Sequence, residues 1–194
     1  MQEERNMNMD TQAIQDLFAK TGTVIQGHFY RLSGRHTDWY VQCARLFEDS
    51  SIGQLIGREL AERCRHTEPD LVLCAAVGAV LPGYEVARAL GKRLLYCEKR
   101  DGALILRRGF EIRNGMKVLL IEDEVSTGQS VREMTEIVRA LGGTVVGIGC
   151  LVDKSGGRVP TETPLVALLT LRAEHYRADA CPMCQTGVPL LNIR

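Results

Sequence analysis

The segment IEDEVSTGQS, residues 121–130, brings carboxylates, hydroxyls and a glycine together at one point of the chain. Glu122, Asp123 and Glu124 follow the mostly apolar residues 116–120, which places them at the end of a predicted strand. Adjacent carboxylates repel a phosphate but suit the vicinal hydroxyls of a sugar, whereas hydroxyls and the free amides of a helix start suit a phosphate. The segment therefore predicts a site that holds a phosphorylated ribose.

Short apolar stretches alternate with helical patterns along most of the chain. Strands are predicted at residues 71–77, 93–99, 117–123, 144–153 and 165–171, and helices at residues 81–90 and 130–143. This alternation indicates an α/β fold, in which a mostly parallel twisted sheet carries helices on both faces. Ligands of such sheets bind beyond the carboxyl ends of the strands, where Glu122 and Asp123 are predicted to lie.

The N-terminal part of the chain has a different pattern. Residues 1–9 are polar and predict a disordered tail, and residues 10–194 predict a single domain. Residues 10–50 begin with a helix capped by Asp10 and continue into a hairpin that turns at Ser33 and Gly34. A further helix is predicted from Ser50 or Ser51, with four apolar side chains turned inward: Ile52, Leu55, Ile56 and Leu60.

The composition excludes several classes of partner. The chain has 24 basic and 24 acidic residues and a net charge of +0, so it lacks the broad basic surface that nucleic acid or a membrane requires. No apolar stretch is long enough to span a membrane. The cysteines are odd in number, 7, and most lie in apolar stretches, which predicts reduced thiols and a cytoplasmic protein.

Residues 118–130 resemble the signature of type I phosphoribosyltransferases, which bind 5-phosphoribosyl 1-diphosphate (PRPP). In that pattern apolar residues precede two acids, two variable residues, Thr-Thr-Gly and a further small residue, and Ser126 here replaces the first threonine. The resemblance implies the fold of that family and a PRPP site. Its sugar and 5-phosphate would be bound by Glu122, Asp123, Glu124, Val125, Ser126, Thr127, Gly128, Gln129 and Ser130.

Other segments narrow the resemblance to orotate phosphoribosyltransferases, namely residues 27–42, residues 151–158 and the tail CPMCQTGVPL at residues 181–190. The implied reaction transfers phosphoribosyl from PRPP to orotate and releases pyrophosphate. The implied cofactor is Mg²⁺, held through PRPP without a direct protein ligand, and the implied assembly is a homodimer. The N-terminal helix and hairpin would form a small hood over the base.

The resemblance also implies further site residues. The catalytic residues would be Lys99, Arg100 and Asp123, with both cations on a loop that closes over the site. The base would be bound by Arg31, His36, Lys154 and Arg158. Backbone amides of a tight loop would meet the pyrophosphate, at Ala76, Val77, Gly78 and Ala79.

The chain departs from the family pattern at four places. Leu32 stands where the family often has a lysine, and Arg31 lies one position earlier. Lys154 replaces an arginine, which keeps the charge but loses the bidentate fork. Gly78 stands where many members have lysine, and the presumed mobile loop at residues 97–109 is shorter and lacks a histidine.

These departures leave two alternatives open. The base could be another purine or pyrimidine, because the lysine is lost at Leu32 and the cations are shifted. The protein could instead be a regulatory module that binds PRPP without catalysis. Such a module needs an output such as a DNA-binding helix-turn-helix, and none is evident in the sequence.

The tail contains one Cys-x-x-Cys pair, Cys181 and Cys184. A zinc site needs four ligands, and the nearest histidine in sequence is His175, so the pair predicts a reduced, packed turn and no metal site. His28 and His66 are predicted to be surface or packing residues. His36 has the best claim to the base site because it follows the Ser-Gly turn.

Overall fold

A computed structural model describes residues 9–31 and 33–192. The predictions for Leu32 and for residues 1–8 of the tail therefore lie outside the described residues. Met9, which the sequence assigns to the tail, is anchored instead. Its amide donates to Glu59 Oε2 at 3.0 Å, and its carbonyl accepts from Arg63 at 3.1 Å.

A six-stranded sheet forms the centre of the molecule, with strand order β5-β4-β3-β6-β7-β8. All neighbouring pairs are parallel except β4 and β5, which are antiparallel. The strands are β3 (Leu71–Ala75), β4 (Arg93–Arg100), β5 (Ala103–Leu106), β6 (Lys117–Val125), β7 (Thr144–Asp153) and β8 (Leu165–Thr170). The predicted mostly parallel sheet is confirmed.

Helices cover both faces of this sheet, as predicted. The helices are α1 (Thr11–Lys20), α2 (Ser50–Cys64), α3 (Val80–Leu90), α4 (Gln129–Ala140) and the short α5 (Pro182–Gln185). One core lies between the sheet and α1, α2 and α3, and a second lies between the sheet and α4. Strand β3 divides its side chains between them, because successive residues point to opposite faces: Val72 joins the first core and Leu73 the second.

The predicted start of α2 is confirmed, since the helix begins at Ser50 and is capped by Asp49, whose carboxylate accepts from Ser51 N at 2.8 Å. One of the four side chains predicted to turn inward needs a correction. Leu55 is 38% exposed, whereas Ile56 and Leu60 are buried. A helix buries a stripe of limited width, and Leu55 lies outside it. The predicted cap of α1 is confirmed, since Asp10 accepts from Ala13 N at 2.7 Å.

A separate three-stranded antiparallel sheet, which we call the hood, has the order β1-β2-β9. Its strands are β1 (Val24–Tyr30), β2 (Arg35–Val41) and β9 (His175–Arg177). The predicted hairpin is confirmed, but β9 has no counterpart in the sequence prediction. Its three residues are too few to give a periodic pattern, and pairing with β2 makes them a strand.

The segment predicted as a mobile loop is a β-hairpin in this structure. Arg100 pairs with Ala103 and Cys97 with Leu106, so Lys99 and Arg100 end β4. Asp101 and Gly102 form the tip of this hairpin, both at positive φ. The apolar residues of β5 explain the difference, because Leu104 packs into the second core.

Within the described part of the chain, no helix combines the length and the apolar character that crossing a membrane requires.

Candidate active site

The site lies where the winding of the sheet reverses. Strands β3 and β6 are neighbours, but the chain continues from β3 through α3 to β4 on one side, and from β6 through α4 to β7 on the other. The two connections therefore leave a crevice beyond the carboxyl ends of β3 and β6. Crevices at such switch points are the usual ligand sites of open α/β sheets.

The two helices that begin at this crevice lack side-chain caps. Asp residues cap α1 and α2, whereas the N-cap positions of α3 and α4 are Ala79 and Gly128, with no side-chain hydrogen bond among the described residues. The first amides of these helices consequently have no capping acceptor, and the helix dipole adds positive potential. Both helix starts suit anionic groups, and they belong to the two loops predicted to bind pyrophosphate and phosphate.

Glu122 and Asp123 lie in this crevice near the carboxyl end of β6, which extends to Val125, two residues beyond the predicted strand end. Glu122 is 5% exposed, and its Oε1 has no hydrogen-bond partner within the described structure. Burial, together with the adjacent charge of Asp123, raises the pKa of Glu122 to about 8. Burial also raises the pKa of Asp123, against the effect of its hydrogen bond from Glu124 N. A buried carboxyl oxygen without a partner, such as Glu122 Oε1, is costly unless a ligand supplies hydrogen-bond donors.

Two cavities meet at these carboxylates. One, of about 190 Å³, is bounded by Glu122, Glu124 and residues 125–131. The other, of about 380 Å³, also touches Glu122 and Glu124 and extends past Asp123 to Ala75, Ala76 and Gly78. The predicted phosphate loop and part of the predicted pyrophosphate loop are thus brought to opposite sides of the acidic pair.

Gly78 permits the two loops to approach each other. A Cβ at this position would overlap Asp123 Oδ2 and lie 2.8 Å from Asp123 Cγ. A side chain at residue 78 would therefore displace the carboxylate. Because this chain has glycine at residue 78, where many family members have lysine, the Asp123 carboxylate has room to lie where it is observed.

The shifted pKa of Glu122 predicts how stability depends on pH. Unfolded glutamate titrates near 4.5 and folded Glu122 at about 8, so between these values the folded state binds the extra proton. Without ligand, stability should therefore fall by up to a few kcal/mol as pH rises through that interval. The free energy of unfolding, measured with denaturant across this pH range, should depend less on pH in Glu122→Gln than in the wild type. The exposed Glu136→Gln is the control, and equal pH dependence in Glu122→Gln and wild type would contradict the prediction.

Lys154 and Glu124 form a partly buried ion pair. Lys154 Nζ donates to Glu124 Oε1 at 2.8 Å, and the lysine side chain is 9% exposed. Asp153 does not take this role, because its carboxylate accepts from Ser155 N and Gly157 N at 2.8 Å each. Asp153 therefore holds the loop after β7, and Lys154 remains beside the acidic end of β6.

The other predicted base-binding residues lie in different surroundings. Arg31 Nη1 is 3.3 Å from His175 Nε2. The pKa of His175 is lowered by burial and by the charges of Arg31 and Lys154, so these two cations act on one ring. Arg158 is exposed and donates to Ser155 O at 2.6 Å. Arg31 and Lys154 are thus brought together by the fold, and Arg158 stabilises its own loop.

His36 is held away from this group. It is 5% exposed, and its Nδ1 lies 2.9 Å from His28 Nε2 and 3.4 Å from Cys184 Sγ. Successive side chains of a strand point to opposite faces, and His36 points to the tail. Its predicted role in base binding therefore has no support in this geometry.

The cysteine pair of the tail also has neighbours that the sequence analysis did not assign to it. Cys181 Sγ lies 3.4 Å from His28 Nε2, and Cys184 Sγ lies 3.4 Å from His36 Nδ1. His175, the nearest histidine in sequence, does not belong to this group of four residues. His28 and His36 come from the hood, more than 140 residues earlier, and sequence distance concealed them.

Lys99 and Arg100 are exposed on the β4–β5 hairpin and line neither cavity. The charge of Lys99 helps to lower the pKa of Glu133, a residue of α4. Within one chain these cations therefore do not reach the crevice.

Three residues of the site were missed. Val41 ends β2, and Gln42 and Cys43 follow it. All three line the larger cavity, and Cys43 Sγ donates to Asp123 O at 3.4 Å. No local motif marks them, because the packing of the hood against the sheet places them there. His175 lines neither cavity, but its buried Nδ1 has no partner within the described structure.

Comparison with known proteins gives consistent results. The family model described as phosphoribosyl transferase domain matches residues 45–179. The chain is 40% identical over 183 residues to an orotate phosphoribosyltransferase of Caldanaerobacter subterraneus subsp. tengcongensis, covering 94% of this chain and 96% of that protein. It is 45% identical over 173 residues to one of Pelotomaculum thermopropionicum, covering 89% and 91%.

Among solved structures, the chain is similar to orotate phosphoribosyltransferase from Aeropyrum pernix. The TM-score is 0.67 at 26% sequence identity, and the match covers 82% of this chain and 94% of that one. The match therefore extends over nearly all of the solved protein.

Proposed function

The chain belongs to the phosphoribosyl transferase domain family, and we propose that it is an orotate phosphoribosyltransferase, as its curated relatives are named. It transfers phosphoribosyl from PRPP to orotate, giving orotidine 5-phosphate and pyrophosphate. The observation that carries this proposal is the acidic pair, buried Glu122 and half-buried Asp123, between two uncapped helix starts. A sugar that bears an anionic group at each end fits that arrangement.

The phosphate loop would hold the 5-phosphate in the cavity of about 190 Å³. Amides at the start of α4 face this space, and the hydroxyls of Ser126, Thr127 and Ser130 add donors. The N-cap residue Gly128 adopts φ +72°, which glycine tolerates without strain. Arg132 steadies the loop by donating to Thr127 O at 2.8 Å.

The acidic pair would accept hydrogen bonds from the two ribose hydroxyls. Positive charge develops on the sugar as the bond from C1 to pyrophosphate breaks, and nearby carboxylates stabilise it. The nucleophile is N1 of the base, so the protein need not supply one. Its tasks are to hold the phosphate, orient the ribose and bind the leaving group.

We propose Mg²⁺ as the cofactor. Mg²⁺ prefers oxygen ligands and keeps several waters, which suits carboxylates such as Glu122, with its partnerless Oε1, and Asp123. These two residues would hold it through the ribose hydroxyls and water. When bound, it would offset the negative charge of the diphosphate.

The base would lie near Lys154, Arg31 and His175. An ammonium group has three donors, and Lys154 uses one on Glu124, so two remain for the carboxylate of orotate. Arg31 donates to His175 Nε2, which leaves the proton of a neutral ring on Nδ1, the buried atom without a partner. We add His175 to the proposed base-binding residues because a ligand oxygen would satisfy this donor.

A screen of bases tests the proposed substrate. PRPP and Mg²⁺ are incubated with orotate, uracil, adenine, hypoxanthine and guanine, and pyrophosphate release is followed. Release with orotate alone is expected. Pyrophosphate release with another base and none with orotate would remove the orotate assignment. If none of the tested bases supports pyrophosphate release, a PRPP-binding regulatory protein would be favoured.

Gly78→Ala is expected to lower kcat/KM for PRPP by about 10- to 100-fold, because the added Cβ displaces the Asp123 carboxylate. Steady-state kinetics measures this, and circular dichroism checks that the fold persists. The control is the same substitution in an Asp123→Asn background, where little further loss should occur. An equal loss in both backgrounds would contradict an effect through Asp123.

Lys99→Ala and Arg100→Ala should slow the chemical step about 10- to 100-fold and weaken PRPP binding less. Their charge matters most as pyrophosphate departs, so interactions with it strengthen in the transition state. Single-turnover rates and PRPP affinity separate the two effects, with the exposed Lys92→Ala as control. Loss of affinity with unchanged turnover would make them binding residues only.

We also propose a homodimer in which this hairpin serves the partner's site, since neither cation lines the cavities of its own chain. Mixing and reassembling Asp123→Asn with a Lys99→Ala/Arg100→Ala variant tests this. In a hybrid dimer, one site then combines Asp123 of one chain with Lys99 and Arg100 of the other, so activity should return. Absence of recovery in verified hybrids would place the cations in their own site.

The partners we propose are small molecules, PRPP and orotate, with no nucleic acid and no membrane. We propose a cytoplasmic location, and all seven cysteines being free thiols supports a reducing compartment.

A further inference from the structure

We propose that His28, His36, Cys181 and Cys184 form a structural zinc site that joins the hood to the C-terminal tail. Their four potential ligand atoms all lie within 4.8 Å of one another. None of the four residues lines either active-site cavity. The inference is therefore independent of the transferase reaction.

Three sulfur-to-nitrogen distances in this group match those of a tetrahedral site. Zn–S bonds of about 2.3 Å and Zn–N bonds of about 2.0 Å at tetrahedral angles put neighbouring ligand atoms roughly 3.3–3.8 Å apart. The observed sulfur-to-nitrogen distances are 3.4 Å for Cys181 and His28, 3.7 Å for Cys184 and His28, and 3.4 Å for Cys184 and His36. The two nitrogens are closer, at 2.9 Å.

The chemistry of the ligands selects the metal. Two thiolates and two imidazoles in a tetrahedral arrangement suit Zn²⁺, whereas Mg²⁺ prefers oxygen ligands. With four protein ligands no position stays open for water. His28, His36 and Cys181 are 1%, 5% and 1% exposed, and Cys184 completes the group from the exposed side.

A backbone carbonyl orients one of the ligands. His28 Nδ1 lies 2.9 Å from Val188 O, so this nitrogen carries the proton and donates it. The lone pair of Nε2 then points toward the two sulfur atoms. Metal-binding histidines ordinarily donate their second nitrogen in this way, which fixes the tautomer and the ring.

The sequence places the two cysteines to act together. Cys181 precedes α5 and Cys184 lies within it, and a spacing of three residues puts both on one side of a helical turn. His28 and His36 come from the two strands of one hairpin, next to the β-bulge that interrupts their pairing. The β1–β2 hairpin and the C-terminal tail thus contribute two ligands each.

The tail needs such an attachment. Among residues 178–192 only Cys181 is buried, so the tail gains little from apolar packing. Two backbone hydrogen bonds pair Leu191 with the hood, at 2.8 Å to His28 O and 3.1 Å from Tyr30 N. A metal that binds only the folded arrangement would contribute its binding energy to holding tail and hood together.

Metal analysis of the purified full-length protein tests the proposal. Expression in zinc-supplemented medium followed by desalting should leave about one zinc per chain, measured by mass spectrometry of the metal. Cys184→Ser removes a ligand whose side chain is exposed, so the core is left intact. This variant should bind zinc at least about 10- to 100-fold more weakly, the loss that even an outer partner of a metal ligand causes.

Cobalt substitution identifies the ligands without reference to activity. Co²⁺ in the wild type should give the visible bands of a tetrahedral site and a thiolate-to-cobalt charge-transfer band, and both should be lost in Cys184→Ser and His28→Gln. The controls are Cys97→Ala and His66→Gln, a thiol and an imidazole outside the cluster, which should retain full zinc content. Zinc removal by a chelator should lower the melting temperature of the wild type and of the two controls, and should leave that of Cys184→Ser and His28→Gln unchanged.

Three results would overturn the proposal. The first is a wild-type protein that takes up neither zinc nor cobalt on reconstitution under reducing conditions. The second is unchanged zinc content in Cys184→Ser. The third is a Cys181–Cys184 disulfide in the protein purified under reducing conditions, found by counting free thiols, because a disulfide removes both thiolate ligands.

Discussion

Asp123→Asn and Glu122→Gln are each expected to lower kcat/KM by about 10²–10³-fold, the loss typical of removing one preorganised electrostatic group from a transition state. Both side chains lie near the carboxyl end of β6 in the crevice, and Glu122 Oε1 is buried without a partner among the described residues. Each amide keeps the shape of the acid but loses the charge that accepts ribose hydroxyls and offsets the developing positive charge. Initial rates of pyrophosphate release with orotate measure the effect.

The fold should persist in both variants, and Glu122→Gln should be more stable than the wild type at pH 8 and above, where at least about half of the folded wild type carries an ionised, buried Glu122. Increased stability together with lost activity would identify a carboxylate retained for function. Exposed acids on other helices, Asp16→Asn and Glu136→Gln, are the matched controls and should keep wild-type rates. Wild-type turnover in both active-site variants would refute the assignment of ribose binding to this pair.

The second large effect concerns the choice of base. Orotate carries a carboxylate that uracil lacks, and burying it without a partner is costly. We expect the wild type to use orotate far better than uracil, and Lys154→Ala to narrow that gap by about 10- to 100-fold, since a hydrogen bond to a charged group contributes about 1.5–3 kcal/mol. Lys154→Arg should keep or improve orotate use because guanidinium restores the bidentate fork. The ratio of the two kcat/KM values is the measurement.

Glu124 provides a test of what Lys154 does. Lys154 pairs with Glu124 at 2.8 Å, so Lys154→Ala also leaves a partly buried carboxylate unpaired. If Lys154 only neutralises Glu124, the double variant Lys154→Ala/Glu124→Gln should recover the preference for orotate. If Lys154 binds the orotate carboxylate, the double variant should still discriminate poorly, and Lys92→Ala should discriminate like the wild type.

The local parts of this protein could be predicted from the sequence. Residues 121–130 combine a strand end, a hydroxyl-rich loop and a helix start within one short segment, and the structure has all three in that order. The parallel sheet followed from the continuous apolar strands, because burial on both faces leaves no polar positions in them. Asp10 was identified as a cap because its contact to Ala13 is only three residues away.

Contacts between distant residues were decided by the tertiary structure alone. The order β5-β4-β3-β6-β7-β8 places Gly78 against Asp123, and the packing of the hood brings Gln42 and Cys43 to the same cavity. Hydrophobic periodicity reports which face of an element is buried, but not which other element covers that face. The tail shows the consequence most clearly: a Cys-x-x-Cys pair with no partner nearby in sequence meets His28 and His36 because β1, β2 and the residues after β9 converge in space.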